Sequence, residues 1–287
     1  MADLRNDQIR NELFDHLRLG GVDLSGLVTY KKTTGRVGGS FSLSPQASLY
    51  ASWGQGFVPP TTEELANNPN ALGGLNTSLV PATSEGEEIG ARGGWSSQWS
   101  YDVTFFHLDT ENDFGRYRVP SRPLETFYRN AGSSRRYGLE TTLGWFPRPE
   151  FAARAAYTYS NFKYTNVKSL FGDFTDVYMP NAPTHILALD GEYVYNRRFV
   201  FGLRADISSG WYVDQTNEPS VDGSQLISAR VAYRWEGPRH RGEVSLSIRN
   251  LFNQSYIAFT EPDPDGNSYQ PGPTRELFVG AHIWIGK

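Results

Sequence analysis

The 287 residues are enough for a sizeable core, yet a mean hydropathy of −0.49 is too polar for a helical membrane protein. No stretch reaches the roughly 18 apolar residues of a spanning helix. The lack of Cys excludes disulfide frameworks and thiolate metal sites, and 27 basic against 31 acidic residues, spread evenly, leave no basic stripe for nucleic acid. The 16 Tyr, 17 Phe, 7 Trp and 29 Gly supply strand and turn chemistry instead, and a β-barrel tolerates low mean hydropathy because only alternate residues face lipid.

Residues 1–7 carry charges and no apolar run, so a secretory signal peptide, which an outer-membrane protein needs, is expected upstream of them. Ile9, Leu13 and Leu17 recur every four residues and predict a short amphipathic helix within 6–19, in an extracellular segment covering 1–30. From there on period-two alternation takes over. Val37, Gly39, Phe41 and Leu43 oppose Arg36 and Ser40, and Ile89, Ala91, Gly93 and Trp95 oppose Glu88 and Arg92. Leu139, Thr141, Leu143 and Trp145 are followed by Phe151, Ala153, Ala155, Tyr157 and Tyr159. The pattern is clearest late in the chain, in Phe199, Phe201, Leu203, Ala205 and Ile207, in Ile227, Ala229, Val231, Tyr233 and Trp235, and in Val244, Leu246 and Ile248.

This alternation predicts eleven strands, at 33–43, 47–57, 86–95, 99–109, 135–146, 150–160, 184–195, 199–210, 224–235, 241–252 and 274–286. Their connections sort into two kinds. Tight turns fall at Ser44-Pro45-Gln46, Ser96-Ser97-Gln98, Pro147-Arg148-Pro149, Tyr195-Asn196-Arg197 and Gly237-Pro238-Arg239, with long polar loops near 58–85, 110–134, 161–183, 211–223 and 253–273. Strict short-long sorting belongs to outer-membrane barrels, with tight periplasmic turns and long extracellular loops. A soluble antiparallel sandwich, the competing reading, has no reason to sort its loops. An odd count places the chain ends on opposite sides of the membrane, with 1–30 outside. It also leaves open sheet edges that a bilayer does not tolerate, so either one strand is uncounted or the chain is part of a larger barrel.

No catalytic constellation is present. His16, His107, His185, His240 and His282 are widely spaced, and no phosphate-cradling loop or nucleophile elbow occurs. Asp263-Pro264-Asp265-Gly266-Asn267 lacks the spacing and closing Glu of a calcium loop and reads as a loop-tip turn. The sequence therefore predicts a non-enzyme with no cofactor and no resident metal.

Several stretches resemble TonB-dependent outer-membrane receptors of the siderophore type: Thr33-Thr34-Gly35-Arg36-Val37-Gly38 with Leu49-Tyr50-Ala51-Ser52-Trp53-Gly54-Gln55-Gly56-Phe57, then Pro59-Pro60-Thr61-Thr62-Glu63-Glu64-Leu65, Leu79-Val80-Pro81 and Glu88-Ile89-Gly90. Late in the chain, Asn250-Leu251-Phe252-Asn253-Gln254-Ser255-Tyr256 resembles the penultimate strand of that family, and Pro271-Gly272-Pro273-Thr274-Arg275-Glu276-Leu277-Phe278-Val279-Gly280 its final one.

The resemblance covers roughly 25–287. It implies an all-β, antiparallel up-and-down transmembrane barrel of which 31–287 is the C-terminal half, about 11–12 strands of a probable 22. It also implies a bacterial outer-membrane location, a ferric siderophore or similar nutrient as ligand, and the TonB energy-coupling complex as partner. No plug domain or TonB-contacting box is found in the chain, which is therefore expected not to transport alone. A self-contained porin-like channel and a soluble β-sheet binding module are the alternatives. Anionic or aromatic-rich chelates would be gripped near the extracellular rim by Arg, Tyr and Trp. The candidates are Arg116, Tyr117 and Arg118, then Tyr128 and Arg129, then Trp211 and Tyr212, and finally Tyr256 and Tyr269. In the last strand Leu277, Val279, Ala281, Ile283 and Ile285 form an outward apolar set for barrel assembly, although the chain ends Trp284-Ile285-Gly286-Lys287 where family members finish on an aromatic residue.

Overall fold

The computed structural model describes every residue except Leu17, Leu19, Gly20, Ala71, Leu72, Pro238, Arg239, Pro264, Gly286 and Lys287. The alternating segments form strands β1 (Ala2–Leu13), β2 (Gly26–Ser44), β3 (Ala47–Val58), β4 (Ala82–Ser96), β5 (Trp99–Val119), β6 (Arg122–Arg148) and β7 (Phe151–Ser169). Short pieces β8 (Gly172–Phe174) and β9 (Val177–Tyr178) precede β10 (His185–Tyr195) and β11 (Phe199–Ser208). The hairpin β12 (Trp211–Tyr212) with β13 (Ser220–Val221) leads to β14 (Ser224–Glu236) and β15 (His240–Arg249). A second hairpin, β16 (Ile257–Glu261) with β17 (Ser268–Pro271), leads to β18 (Glu276–Ile285). One helical turn, α1 (Thr62–Leu65), is closed by a Thr61–Glu64 capping box.

Long strands pair antiparallel with their neighbours in one sheet, in the order β1-β2-β3-β4-β5-β6-β7-β10-β11-β14-β15-β18, and β8 and β9 fold back onto β7. The sheet is a single layer, which rules out the sandwich. Among the described residues β1 and β18 each lack an outer partner, so the wall is open rather than a closed barrel.

Between the bulges at the strand ends, the register sorts side chains to two faces. Phe105 pairs with Ile89 and Leu139, Leu189 with Ala155 and Ala205, Val231 with Phe201 and Leu246, and Leu246 with Val279, so one face carries the apolar set across the sheet. The other face carries charge: Arg92 lies opposite Asp102, Asp190 between Arg154 and Arg204, and Glu243 opposite Arg234. Glu243 accepts from both Arg230 and Arg234. Apolar side chains on a single-layer sheet lose contact with water only against lipid, which fixes the outer and inner faces. On β7 the outer stripe from Phe151 to Tyr159 climbs about 27 Å of extended chain, about 20 Å across a bilayer at the usual barrel tilt.

At the tight-turn end, outward rings stack into a belt. Trp95 lies 5.6 Å from Trp99, Trp99 5.6 Å from Trp145, Trp145 5.3 Å from Phe151, and Phe199 5.1 Å from Tyr233. Such belts sit at the membrane interface. On the inner face Tyr50 lies flat over Gly90, where a β-carbon would collide with its ring, and its hydroxyl bonds Asp102 at 2.9 Å.

Three expectations are corrected. The helix within 6–19 and the extracellular segment over 1–30 give way to β1, which pairs with β2 from Ala2–Val37 to Leu13–Gly26; Leu17 lies outside the described residues. Ile9 and Leu13 share a face either way, because four residues is an even number of strand steps as well as about one helical turn. The outward set of β1 above Leu4 is Asn6, Gln8, Arg10 and Glu12, so it shows no apolar stripe. With β1 added, the path holds twelve long strands, so β1 starts and β18 finishes on the same, tight-turn side rather than on opposite sides. Finally, the predicted loop at 110–134 and the first part of that at 161–183 are strand: β5 and β6 run on to a turn at Pro120-Ser121, and β7 runs on to Ser169. The turn expected at Gly237-Pro238-Arg239 falls partly on undescribed residues, where Gly237 N donates to His240 O at 2.7 Å.

Candidate functional site

Beyond the apolar band, on the side of the long connections, two groups of hairpins rise from the wall. In the first, residues 59–70 and 73–81 pack on the extension of β5 and β6. Leu65, Leu75, Leu79 and Tyr30 form a small buried core, and Tyr30 donates to Leu79 O at 2.9 Å. Asparagines do the fastening. Asn76 Nδ2 donates to Tyr128 O at 3.1 Å, and Asn130 both donates to Val80 O and accepts from Val80 N at 2.8 Å. Paired this way, irregular backbone has its polar groups satisfied without a ladder.

The second group joins β9, β12–β13 and β16–β17. Asn181 Nδ2 donates to Thr260 O at 2.8 Å and its Oδ1 accepts from Thr260 N at 3.1 Å. Asn217 makes the same two-way clasp with the backbone of Tyr178, at 2.6 and 3.0 Å. The buried Asp214 carboxylate takes Thr216 N at 2.9 Å and Asn267 Nδ2 at 2.7 Å. Pro264 of the expected loop tip lies outside the described residues; around it Gly266 N donates to Asp263 O at 3.0 Å, and Asp263 Oδ1 accepts from Asp265 N at 2.9 Å.

A cavity of about 290 Å³ lies between the two groups, lined by Asp113, Arg116, Arg118, Tyr128, Tyr164, Phe171, Gln215 and Asp263 among others. Arg118 reaches across it to Asp265 at 3.4 Å. Gln215 Oε1 is buried without a hydrogen-bond partner, an acceptor that a ligand donor can satisfy. In these parts of β6 and β7, clear of the membrane, burial first and the Glu63 carboxylate second hold the Tyr128 phenol above its ordinary range, and burial does the same for Tyr164. Both stay protonated at neutral pH, and the Tyr128 hydroxyl donates to Glu63 Oε1 at 3.2 Å. The Arg116 and Arg118 guanidinium groups and the Tyr164 phenol can donate to the oxygens of an anionic ligand, while Gln215 Oε1 and the Asp113 and Asp263 carboxylates face its donor groups.

The structure divides the residues singled out in the sequence. Arg116, Arg118 and Tyr128 line the cavity. Tyr117 and Arg129 turn to the opposite face, where the Arg129 guanidinium stacks 4.8 Å over the Tyr117 ring. Trp211 and Tyr212 belong to a different cavity, Tyr256 covers Gly272, and Tyr269 stands half exposed on β17. Tyr164, Phe171, Gln215 and Asp263 were missed, and each comes from a separate element that only the tertiary fold brings in. In β18, Leu277, Val279, Ile283 and Ile285 lie on the exposed outer face with Ala281.

A family model described as TonB dependent receptor-like, beta-barrel matches residues 1–251. Among solved structures, the chain superposes on the ferric citrate transporter FecA with a TM-score of 0.76 at 19% identity, covering 99% of this chain and 42% of that one. The copper transporter OprC gives 0.76 at 16% identity, with 99% and 44% covered. The ferric-catecholate import receptor Fiu from E. coli K12 gives 0.70 at 19% identity, with 90% and 35% covered. The chain thus spans less than half the length of these structures.

Proposed function

Because the chain belongs to the TonB-dependent receptor β-barrel family, whose members are bacterial outer-membrane transporters, we propose that it forms part of the barrel wall and outer hairpins of a receptor importing a ferric siderophore or similar scarce-metal chelate. TonB drives release through parts of the receptor other than this wall, so the wall alone is not transport-competent. Two features support a larger barrel: the unpaired edges of β1 and β18, and a span below half of the similar structures. Unpaired backbone in lipid costs several kcal/mol per group, so further strands must cover these edges in a membrane. The outward stripe of Leu277, Val279, Ala281, Ile283 and Ile285 is the surface that barrel-assembly machinery would read in β18.

The observation that carries the ligand assignment is the cavity between the hairpin groups, with Arg116, Arg118 and Tyr128 on one face of a single extended hairpin. The test uses the complete receptor and a panel of ferric siderophores in a fluorescence-quenching titration. Replacing both Arg116 and Arg118 with Ala removes two charge-assisted contacts and is expected to weaken binding about a hundredfold. Tyr117→Ala, on the opposite face, should leave affinity within about twofold. Equal affinity in the double variant and the wild type would end this assignment.

A further inference from the structure

A second cavity, of about 530 Å³, lies at the upper ends of β10 and β11, with Tyr178, His185, Ser209, Trp211, Tyr212 and Asp222 in its walls. Register decides which way it faces. His185 pairs with Tyr159 of the outer stripe, and Tyr178 pairs with Lys163, which follows Tyr159 by four residues and so lies on the same face. The cavity therefore opens outward, directly above Leu187, Leu189 and Ile207 of the apolar band. That is the level at which lipid head groups meet the wall.

Its chemistry differs from that of the belt at the other end. There the rings stack on one another in a continuous chain. Here they stand around a space and are tied to polar partners. Tyr178 and Tyr212 stack at 5.7 Å, the Tyr157 hydroxyl meets His185 Nδ1 at 2.9 Å, and Tyr159 lies 5.5 Å from the His185 ring. Lys163 Nζ sits 4.9 Å over the Tyr178 ring but is also 3.1 Å from both oxygens of Asp176. Its charge is thus matched, and the adjoining wall adds the Asp222 carboxylate rather than a cation. A phosphate would meet no surplus positive charge, whereas a sugar ring suits an aromatic platform edged by carboxylate, hydroxyl and imidazole.

We propose that this cavity binds the saccharide head group of an outer-leaflet glycolipid, with the sugar against the Tyr178–Tyr212 platform and the acyl chains on the apolar band beneath. The inference rests on the outward orientation of this face in the membrane, not on the identity of any imported chelate.

The test uses the complete receptor in detergent. Binding is measured by native mass spectrometry and by Trp fluorescence for a dihexosyl diacylglycerol, for phosphatidylglycerol with the same acyl chains, and for the free disaccharide. The glycolipid is expected to bind about tenfold more tightly than either comparison. Tyr212→Ala should abolish that preference. Ala182→Trp should too, by filling the cavity from a lining position without removing a polar contact. Equal binding of phosphatidylglycerol would reduce the face to ordinary lipid contact, and equal binding of free disaccharide would remove the lipid from the assignment. An unaltered preference in Ala182→Trp would place the lipid elsewhere. Siderophore titrations on the same samples separate this result from the fate of the outer pocket.

Discussion

The apolar band and the hairpins above it are built from the same strands but kept in shape by different forces. In the band, β5 to β7 carry Phe105, Leu139 and Tyr159 side by side, and the ladder between them satisfies every step of the backbone while lipid covers the outer face. Above it the same strands have water on both sides, and the irregular segments between them are fastened by single side chains such as Asn76, Asn130, Asn181 and Asn217. The band draws its strength from the repetition of one pattern. The hairpins draw theirs from a handful of particular residues, and damage should spread differently in the two.

The most severe way to break the contrast is a charge on the outer stripe. Leu246→Arg places a guanidinium between Val231 and Val279, and near the bilayer midplane this should cost about 2–4 kcal/mol. Denaturant unfolding of the complete receptor in lipid should show that loss as a shift of the whole transition. Next in size, Asn181→Ala strips two hydrogen bonds from the buried Thr260 backbone, a local cost of about 1–3 kcal/mol. Hydrogen exchange should rise in 177–181 and 257–271 and stay unchanged in β10 and β11. If protection fell across the barrel instead, the two regions would not be energetically separate. The smallest effect is expected from Asp265→Asn, since the Arg118–Asp265 pair is well exposed at 3.4 Å and such pairs contribute about 0–1 kcal/mol. Thermal stability should not move measurably.

The same contrast explains what could be read in the sequence. The band was legible because lipid on one face and water on the other force a two-residue rhythm, and segments such as Phe199–Ser208 and Ser224–Glu236 display it openly. Where both faces are wet the rhythm vanishes. The outer parts of β5 and β6, around Asp113 to Arg118 and Arg129 to Ser134, therefore looked like loop although the ladder continues through them. β1 was hidden for a related reason, its outward residues above Leu4 being polar. The pocket was half legible. Arg116, Arg118 and Tyr128 announced cationic and phenolic chemistry, but a strand sends neighbours to opposite faces, so Tyr117 and Arg129 could not join them. Gln215 and Asp263 arrive from hairpins about a hundred residues or more further along the chain, and no local pattern encodes that meeting.

Tyr50 lying flat over Gly90 carries a consequence for how wide the interior can be. The phenol stays against the wall only because the neighbouring position has no side chain to lift it. Adding a single methyl group at Gly90 would push the ring inward and away from Asp102 and press on the Val103 carbonyl of the next strand, narrowing the bore by displacing an aromatic side chain and straining the wall behind it. Room for whatever passes along this wall is thus governed by its least substantial residue.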